Sequence, residues 1–433
     1  MNRFQPLSAL LAAEPRADGR MAFGPLAILC AASVAVAVGN AGLFSVLPVI
    51  GREIGVPDPL IAAVFSLAAA LTVVCAPFWA DQTDTTGRKR VIMIGTFGFA
   101  ISMLACAVVV AVGVRHVLAP MTVFVLFLLA RGLNGALSSA SQPAMQAYIA
   151  DNTSPAHRTS AISTLAGAFG LGSILGPLAA PLLVGPPLGL ASPMFVFALA
   201  GFCLLAVVAR WLPESVRPAP AADASHVQEK TSLLSVIRDQ DLRPFLIFGA
   251  LVSLLQAGMA QMIAFVVIDK VGLPARAALP HISGALMIGA ILTVIGQWGF
   301  VHAFSMRPRD LLRWGSGLSA LGSAVIVASS SFWPLVAGFG LFSLGMAFLR
   351  PGFTAGASLA ATPAAQAMLA SVLMMMVGAS FAISPLFVLL YVTHHHAPFI
   401  LFTVVTAGLL AYCYANARLK TSGAAPYAPA IGE

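Results

Sequence analysis

The sequence predicts an all-α membrane protein with twelve transmembrane helices in two pseudo-symmetric bundles of six. Of its 433 residues, 59% are hydrophobic and only 9% are charged, whereas a soluble chain carries about 25% charged residues. Apolar segments of spanning length, roughly 20 residues, recur along the whole chain. One long polar stretch, 213–242, separates six of these segments from six others. We therefore expect an N-terminal bundle over 1–212, a cytoplasmic linker over 213–242, and a C-terminal bundle with its tail over 243–433.

Each apolar segment is expected to be a helix, because a helix in hydrocarbon satisfies its own backbone hydrogen bonds. In the N-terminal half the predicted spans are 23–50, 60–80, 91–112, 119–142, 160–184 and 192–212. In the C-terminal half they are 243–268, 281–302, 311–331, 334–353, 366–391 and 397–416. These spans leave no room for a large soluble catalytic domain. The sequence shows no metal triad, nucleophile–base pair or phosphate-binding loop, so we expect no enzyme activity, cofactor or metal site.

The basic residues are distributed unevenly between alternate loops. With a cytoplasmic N-terminus, eighteen of the 23 Lys and Arg residues fall on the cytoplasmic side and four on the outer side, and only Arg131 lies deep within a span. Cytoplasmic loops are enriched in Lys and Arg. We therefore expect a monomeric, multi-pass protein of the cell inner (plasma) membrane with both termini cytoplasmic. The same bias explains the net charge of +8 without nucleic-acid binding.

The two halves share a short pattern that indicates duplication. A tryptophan and two arginines follow the second span of each half at a constant offset of 219 residues: Trp79, Arg88 and Arg90, then Trp298, Arg307 and Arg309. Tryptophans at span ends are typical interfacial anchors. Duplicated halves that meet around a midplane site are the architecture of secondary transporters.

The segment from Pro77 to Arg90 is expected to be the loop after the second span. It resembles the G-x-x-x-D-x-x-G-R-K/R-R signature of the major facilitator superfamily, with Ala80 in place of the first glycine and Thr85 where arginine is common.

Within that signature we expect a conformational latch that holds the outward-open state. Asp84 can face a helix N-terminus in the other half, and Arg88 can pair with Asp151 at the end of the fourth span. The residues concerned are Asp84, Gly87, Arg88 and Asp151. The second half has Ala303 at the position equivalent to Asp84, so a latch there would lack its acidic residue.

The fourth span carries Arg131, followed by Asn134 and Gly135. Counted from Pro120, Arg131 lies about 16 Å along the helix at roughly 1.5 Å per residue. A guanidinium at that depth costs about 2.5–3.5 kcal/mol on insertion scales, so it should face a polar cavity or a partner. The pattern resembles the R-x-x-q-G signature of proton-coupled superfamily members, which implies that these three residues serve proton coupling. The alternative is a structural arginine capped by helix carbonyls.

The fifth span contains Gly172, Gly176 and Pro177. Small residues four apart allow close helix packing, and proline breaks the carbonyl ladder. The segment resembles the g-x-x-x-G-P-x-x-G-G signature of the antiporter branch, with Ala179 and Ala180 replacing its last two glycines. The resemblance favours efflux over uptake.

Three amides are candidates for a substrate cavity: Asn40, Gln256 and Gln261. They lie on the first and seventh helices, which line the cavity in this family by resemblance. Amides that only bond one helix to another are the alternative. No predicted span has Asp or Glu in its interior, so the proton carrier is unidentified, and Glu53, Asp58 and Asp269 near span ends are the candidates.

The sequence therefore resembles the twelve-helix drug:proton antiporter group of the superfamily. This resemblance implies proton-coupled efflux of an amphipathic small organic molecule, a drug or a siderophore-like metabolite, by alternating access. The expected partners are that small-molecule substrate, protons and the lipid bilayer. The alternative is a proton-coupled symporter for metabolite uptake.

Overall fold

The computed structural model describes residues 21–214, 233–300, 306–362, 365–416 and 419. In these ranges the chain is helical almost throughout, with one isolated bridge between Gly185 and Gly189 and no β-strand. Twelve helices in the described ranges are long and apolar enough to cross a membrane, which confirms the predicted fold class. Ala303 and the side chains of Asp84 and Trp298 lie outside the described part.

The chain divides into two compact units, Met1–Asp223 and Ala224–Glu433. The described residues of each unit contain six of the candidate spans. The division falls inside 213–242, the stretch that we assign to the linker.

The N-terminal unit begins with three long helices and continues through a broken fourth span. Its helices are α1 (Phe23–Ile54), α2 (Asp58–Thr86), α3 (Arg88–Gly113), α4 (Pro120–Leu137), α5 (Ser141–Asp151), α6 (Pro155–Leu182) and α7 (Ser192–Trp211). A 3₁₀ turn, Ser138–Ala140, joins α4 to α5, and the two helices together form the span Pro120–Asp151.

The C-terminal unit begins with a short helix. Its helices are α8 (Leu233–Arg238), α9 (Arg243–Val271), α10 (Leu279–Val294), α11 (Pro308–Ala328), α12 (Phe332–Ala360), α13 (Gln366–Ile383), α14 (Pro385–Thr393) and α15 (Ala397–Ala415). A π-helical segment, Ile295–Phe300, continues α10.

Proline and glycine mark many helix ends. A proline occupies the first turn of α4, α6 and α11, where its missing N–H costs no hydrogen bond. Helices α1 and α9 end at Gly55 and Gly272, both left-handed, with φ of 87° and 66°. Glycine adopts this conformation without steric cost.

The predicted loop from Pro77 to Arg90 is wrong except at Gly87, because helices occupy both sides of that glycine. Helix α2 continues to Thr86, and only Gly87, with φ of 106°, separates it from α3. Thr83 Oγ1 donates to Trp79 O at 2.7 Å and Thr85 Oγ1 to Asp81 O at 3.2 Å. A helix satisfies its backbone in water as well as in lipid, so it continues where the apolar stretch ends.

Other spans also differ from their predicted bounds, the fourth and the eleventh among them. The fourth extends beyond residue 142 to Asp151, again because polar residues continue the helix. The eleventh is divided at Ser384, since the next residue, Pro385, begins α14 and has no N–H for the helical ladder.

Candidate functional site

Arg131 lies in the middle of the N-terminal unit's broken span and is 4% exposed. Its Nη2 donates to Asn40 Oδ1 on α1 at 3.1 Å. Nε and Nη1 are buried and have no acceptor in the described part of the chain. The alternative, capping by helix carbonyls, is therefore not formed at these two nitrogens.

Asn134 and Gly135 follow Arg131 on α4, one turn further along. Asn134 is 8% exposed, and its Oδ1 has no donor among the described residues. Gly135 packs against the backbone of Ala68 on α2, where an added Cβ would overlap the Ala68 carbonyl. The structure thus joins Arg131 to Asn40, leaves Asn134 partly unbonded, and uses Gly135 for close helix packing.

Trp79 adds a contact to this region that the sequence did not indicate. It is 8% exposed, and its Nε1 donates to Ala136 O on α4 at 2.6 Å. Because α2 continues past Trp79, this side chain lies against α4 and is no interfacial anchor. Trp211 and Trp333, by contrast, are 45% and 72% exposed.

The junction between α2 and α3 contains a closed polar network. Arg88 Nε lies 2.8 Å from Asp151 Oδ2, with the two side chains 14% and 12% exposed. Arg88 Nη1 also donates to Thr83 O at 2.6 Å. This pair lies wholly within the N-terminal unit and fixes the end of α5 to the start of α3.

Glu214 is a second contact at this junction that sequence reasoning missed. The Lys89 backbone N–H donates to Glu214 Oε1 at 3.3 Å. Lys89 Nζ donates to Ala209 O at 2.9 Å. The only available signal was that Glu214 is the first acidic residue after the sixth span, in the segment where helix α3 needs an acceptor at its N-terminus.

Gly172 and Gly176 on α6 lie against the backbone of α1. A Cβ on Gly172 would be 2.5 Å from Val34 O, and one on Gly176 would be 2.6 Å from Val38 O. Pro177 lies inside α6, which continues to Leu182. These three residues thus lie where α6 packs closely on α1, and a side chain at either glycine would push the two helices apart.

The two candidate glutamines of the C-terminal unit are not together. Gln261 is 3% exposed, and its Nε2 donates to Ser384 Oγ at 2.5 Å, beside the break between α13 and α14. Its Oε1 has no donor in the described ranges. Gln256 is exposed. It lies five residues before Gln261 on α9, so the two side chains leave the helix in directions that differ by well over a right angle.

Two of the candidate proton carriers are hydrogen-bonded. Asp58 accepts from Arg52 at 2.7 Å, and Asp269 Oδ2 accepts from the Tyr391 hydroxyl at 2.8 Å. Glu53 is exposed. Among the described residues no three His, Cys, Asp or Glu side chains are grouped to hold a metal ion.

The chain resembles curated drug-resistance proteins over part of its length. Multidrug resistance protein MdtG of Salmonella paratyphi C is 30% identical over 172 residues, which are 40% of this chain and 39% of the relative. Tetracycline resistance protein, class B, of Escherichia coli is 27% identical over 184 residues, which are 41% of this chain and 42% of the relative. The chain thus spans about two fifths of the length of the curated relatives it matches.

Solved structures match over nearly the whole chain. A bacterial homolog of the human lysosomal transporter Spinster has a TM-score of 0.71 at 14% identity, covering 94% of this chain and 98% of that chain. The human organic anion transporter MFSD10 has a TM-score of 0.61 at 19% identity, covering 96% and 100%. At these identities the likeness establishes the fold alone.

A model of the Major Facilitator Superfamily matches residues 29–309, which is more than half of the chain. Together with the twelve candidate spans, this match shows that the chain belongs to the major facilitator superfamily of membrane transporters.

Proposed function

We propose that this protein is a secondary active transporter that couples proton entry to efflux of an amphipathic small organic molecule, a drug or a siderophore-like metabolite. It works by alternating access, as a monomer in the inner membrane with both termini cytoplasmic. The observation that carries the proposal is the buried, incompletely bonded guanidinium of Arg131.

A cation at this position needs a functional reason. Ionisable groups within spans are costly and mark transport pathways or proton relays. In the described part of the chain no carboxylate lies within 4.0 Å of Arg131, whereas Arg52, Arg88 and Arg309 each have one. The charge of Arg131 therefore acts on protons and substrate, with Asn134 and Gly135 shaping its surroundings.

Export is favoured by the two curated relatives, which are named for drug resistance. The glycine-lined contact of α6 with α1 supports the same direction, because Gly172, Gly176 and Pro177 match the antiporter-branch signature. In our proposal the amides Asn40, Gln256 and Gln261 contact the substrate.

The junction of α2 and α3 acts as the latch in this proposal. Arg88 and Asp151 are bonded within one unit, so they hold Gly87 and the start of α3 in place. The contact made and broken during the transport cycle then falls to Asp84, on the last turn of α2.

The test uses inverted membrane vesicles with an imposed pH gradient and a fluorescent pH dye. For an exporter, adding a cargo from a panel of antibiotics and siderophores, with tetracycline as the first probe, should release protons from the vesicle interior. Wild-type protein should give this signal, Arg131→Gln should not, and Gln142→Leu is the matched control. Gln142 also bonds to α1, through Ser33 at 3.0 Å, and in the described part of the chain it has no hydrogen bond with Arg131.

Flux direction separates efflux from its alternative. A proton-coupled uptake symporter would accumulate its cargo in right-side-out vesicles with the gradient directed inward. Gradient-driven accumulation in that orientation, with no signal in inverted vesicles, would contradict efflux and favour uptake.

A further inference from the structure

The cluster of Arg131, Asn40 and Asn134 contains more hydrogen-bonding groups than it satisfies. A guanidinium has five N–H donors, and the described residues provide one acceptor, Asn40 Oδ1. Nε and Nη1 of Arg131 and Oδ1 of Asn134 are buried without a partner. Buried polar groups in native proteins are nearly always bonded, so these atoms indicate a molecule that occupies the cluster.

The unsatisfied donors belong to a permanent cation. Arginine does not lose its proton in proteins, so the cluster cannot become neutral by deprotonation. Water would satisfy the hydrogen bonds but leave the charge uncompensated, and an uncompensated buried charge is strongly unfavourable. An anion would satisfy both the hydrogen bonds and the charge.

A planar oxyanion fits the available atoms. Carboxylates bind guanidinium groups through two parallel hydrogen bonds. Asn40 accepts from Nη2, and Nη2 has a second hydrogen that can form such a pair with Nε or with Nη1. Asn134 Oδ1 adds an acceptor one turn away for a hydroxyl or N–H on the same molecule. Asn40 is only partly buried, which leaves the cluster one side chain from the surface of the unit.

We propose that Arg131, Asn40 and Asn134 form a carboxylate-binding site and that the transported substrate is an organic anion. This inference rests on the proposed transport function and specifies its substrate class. It assigns Arg131 direct contact with the substrate in addition to its influence on protons.

The test compares two probes of similar size and opposite head charge, phenylacetate and 2-phenylethylamine. Purified full-length protein in detergent is heated at increasing concentrations of each probe, since a ligand of the folded state raises the unfolding midpoint. Phenylacetate should raise the midpoint to saturation, and 2-phenylethylamine should not. This comparison uses wild-type protein and needs no variant to fold.

Variants then locate the site. Arg131→Gln should weaken phenylacetate binding roughly tenfold or more, as expected for loss of a charge-assisted hydrogen bond. Gln142→Leu should leave the affinity for phenylacetate within about twofold of wild type. The bond that it removes, to Ser33, is uncharged and does not involve Arg131. Stabilisation by phenylethylamine equal to that by phenylacetate, or unchanged phenylacetate binding in Arg131→Gln, would overturn the site.

The outcomes distinguish this inference from the function on which it rests. If wild-type vesicles show gradient-driven transport of a cargo that phenylacetate does not inhibit, the carboxylate site is wrong and the transport function stands. If phenylacetate binds through Arg131 but no cargo moves in a pH gradient, the site stands and proton-coupled efflux is wrong.

Discussion

Two arginines of the N-terminal unit, Arg88 and Arg131, differ in how fully their surroundings bond them. Arg88 is bonded to Asp151 and to the Thr83 carbonyl. Arg131 is more buried, yet among the described residues it bonds only to Asn40, an uncharged acceptor. Arg88 therefore belongs to a network whose charges are paired and which holds the start of α3 in place. Arg131 belongs to a network that leaves its charge unpaired and two of its nitrogens unbonded among the described residues.

This difference separates a stabilising contact from a binding contact. Removing one partner of a closed, partly buried ion pair leaves a charge without compensation, which destabilises the fold. Removing an uncompensated charge relieves the fold and harms only the process that uses the charge. Stability and transport should respond in opposite ways at the two positions.

Arg131→Gln should have the largest effect on transport. Coupling free energies between two sites are typically about 1–3 kcal/mol, or roughly 5- to 150-fold, and we expect gradient-driven transport to fall by roughly 100-fold. The free energy of unfolding should stay within about 1 kcal/mol of wild type, because glutamine can still donate to Asn40. Vesicle transport and thermal unfolding measure the two effects. A loss of stability with retained transport would mean that Arg131, like Arg88, has a structural role.

Gly172→Ala tests whether packing, and not the Arg131–Asn40 bond, holds α1 in place. The added methyl group would lie 2.5 Å from Val34 O, and such overpacking costs about 1–3 kcal/mol. Thermal unfolding should show this loss, and Asn40→Ala should show a smaller one.

Gly170 provides the matched control on the same helix. A Cβ there meets nothing within 4 Å, so Gly170→Ala should gain about 0.5–1 kcal/mol from helix propensity. Equal effects of Gly170→Ala and Gly172→Ala would mean that α6 does not pack closely on α1.

Asp151→Asn should destabilise the closed network at the junction of α2 and α3. Hydrogen bonds to charged groups contribute about 1.5–3 kcal/mol, and asparagine keeps an acceptor for Arg88 Nε, so we expect a loss of about 1–2 kcal/mol. Unfolding of the purified protein measures it. Asp310→Asn is the control, because Arg309 and Asp310 are 3.5 Å apart with side chains 32% and 37% exposed. Partly exposed pairs at this separation contribute little, and a larger loss at Asp310 would contradict this interpretation.

The spans were predictable because continuous apolarity over a membrane thickness has few structural solutions. Hydropathy detects only the apolar part of a helix, so the sequence placed Asp81 to Thr86 in a loop, although those residues extend α2. The same extension buries Trp79, which the sequence assigned to the membrane interface.

Single side chains of the site were predictable, but their contacts were less so. Arg131 and Asn40 both stand out as polar residues in apolar spans, yet 91 residues separate them along the chain. Which polar residues meet depends on how each helix rotates about its axis, and packing of residues such as Gly135 and Gly172 sets that rotation. Glu214 has no distinctive spacing, so its contact with Lys89 emerges only in the folded unit.

Gln261→Leu extends the comparison to the C-terminal unit and should have a small effect on stability. Gln261 resembles Arg131 in having one hydrogen bond beside unbonded buried polar atoms, one in Gln261 and two in Arg131, but it carries no charge. Ser384 Oγ also donates to Phe381 O at 2.7 Å, so it keeps a partner when Gln261 is replaced. The free energy of unfolding should change by less than about 1 kcal/mol. Transport should decline, because in our proposal Gln261 contacts the substrate. Marked destabilisation with normal transport would make Gln261 a structural amide, and the open polar groups of the transport site would then belong to the N-terminal unit.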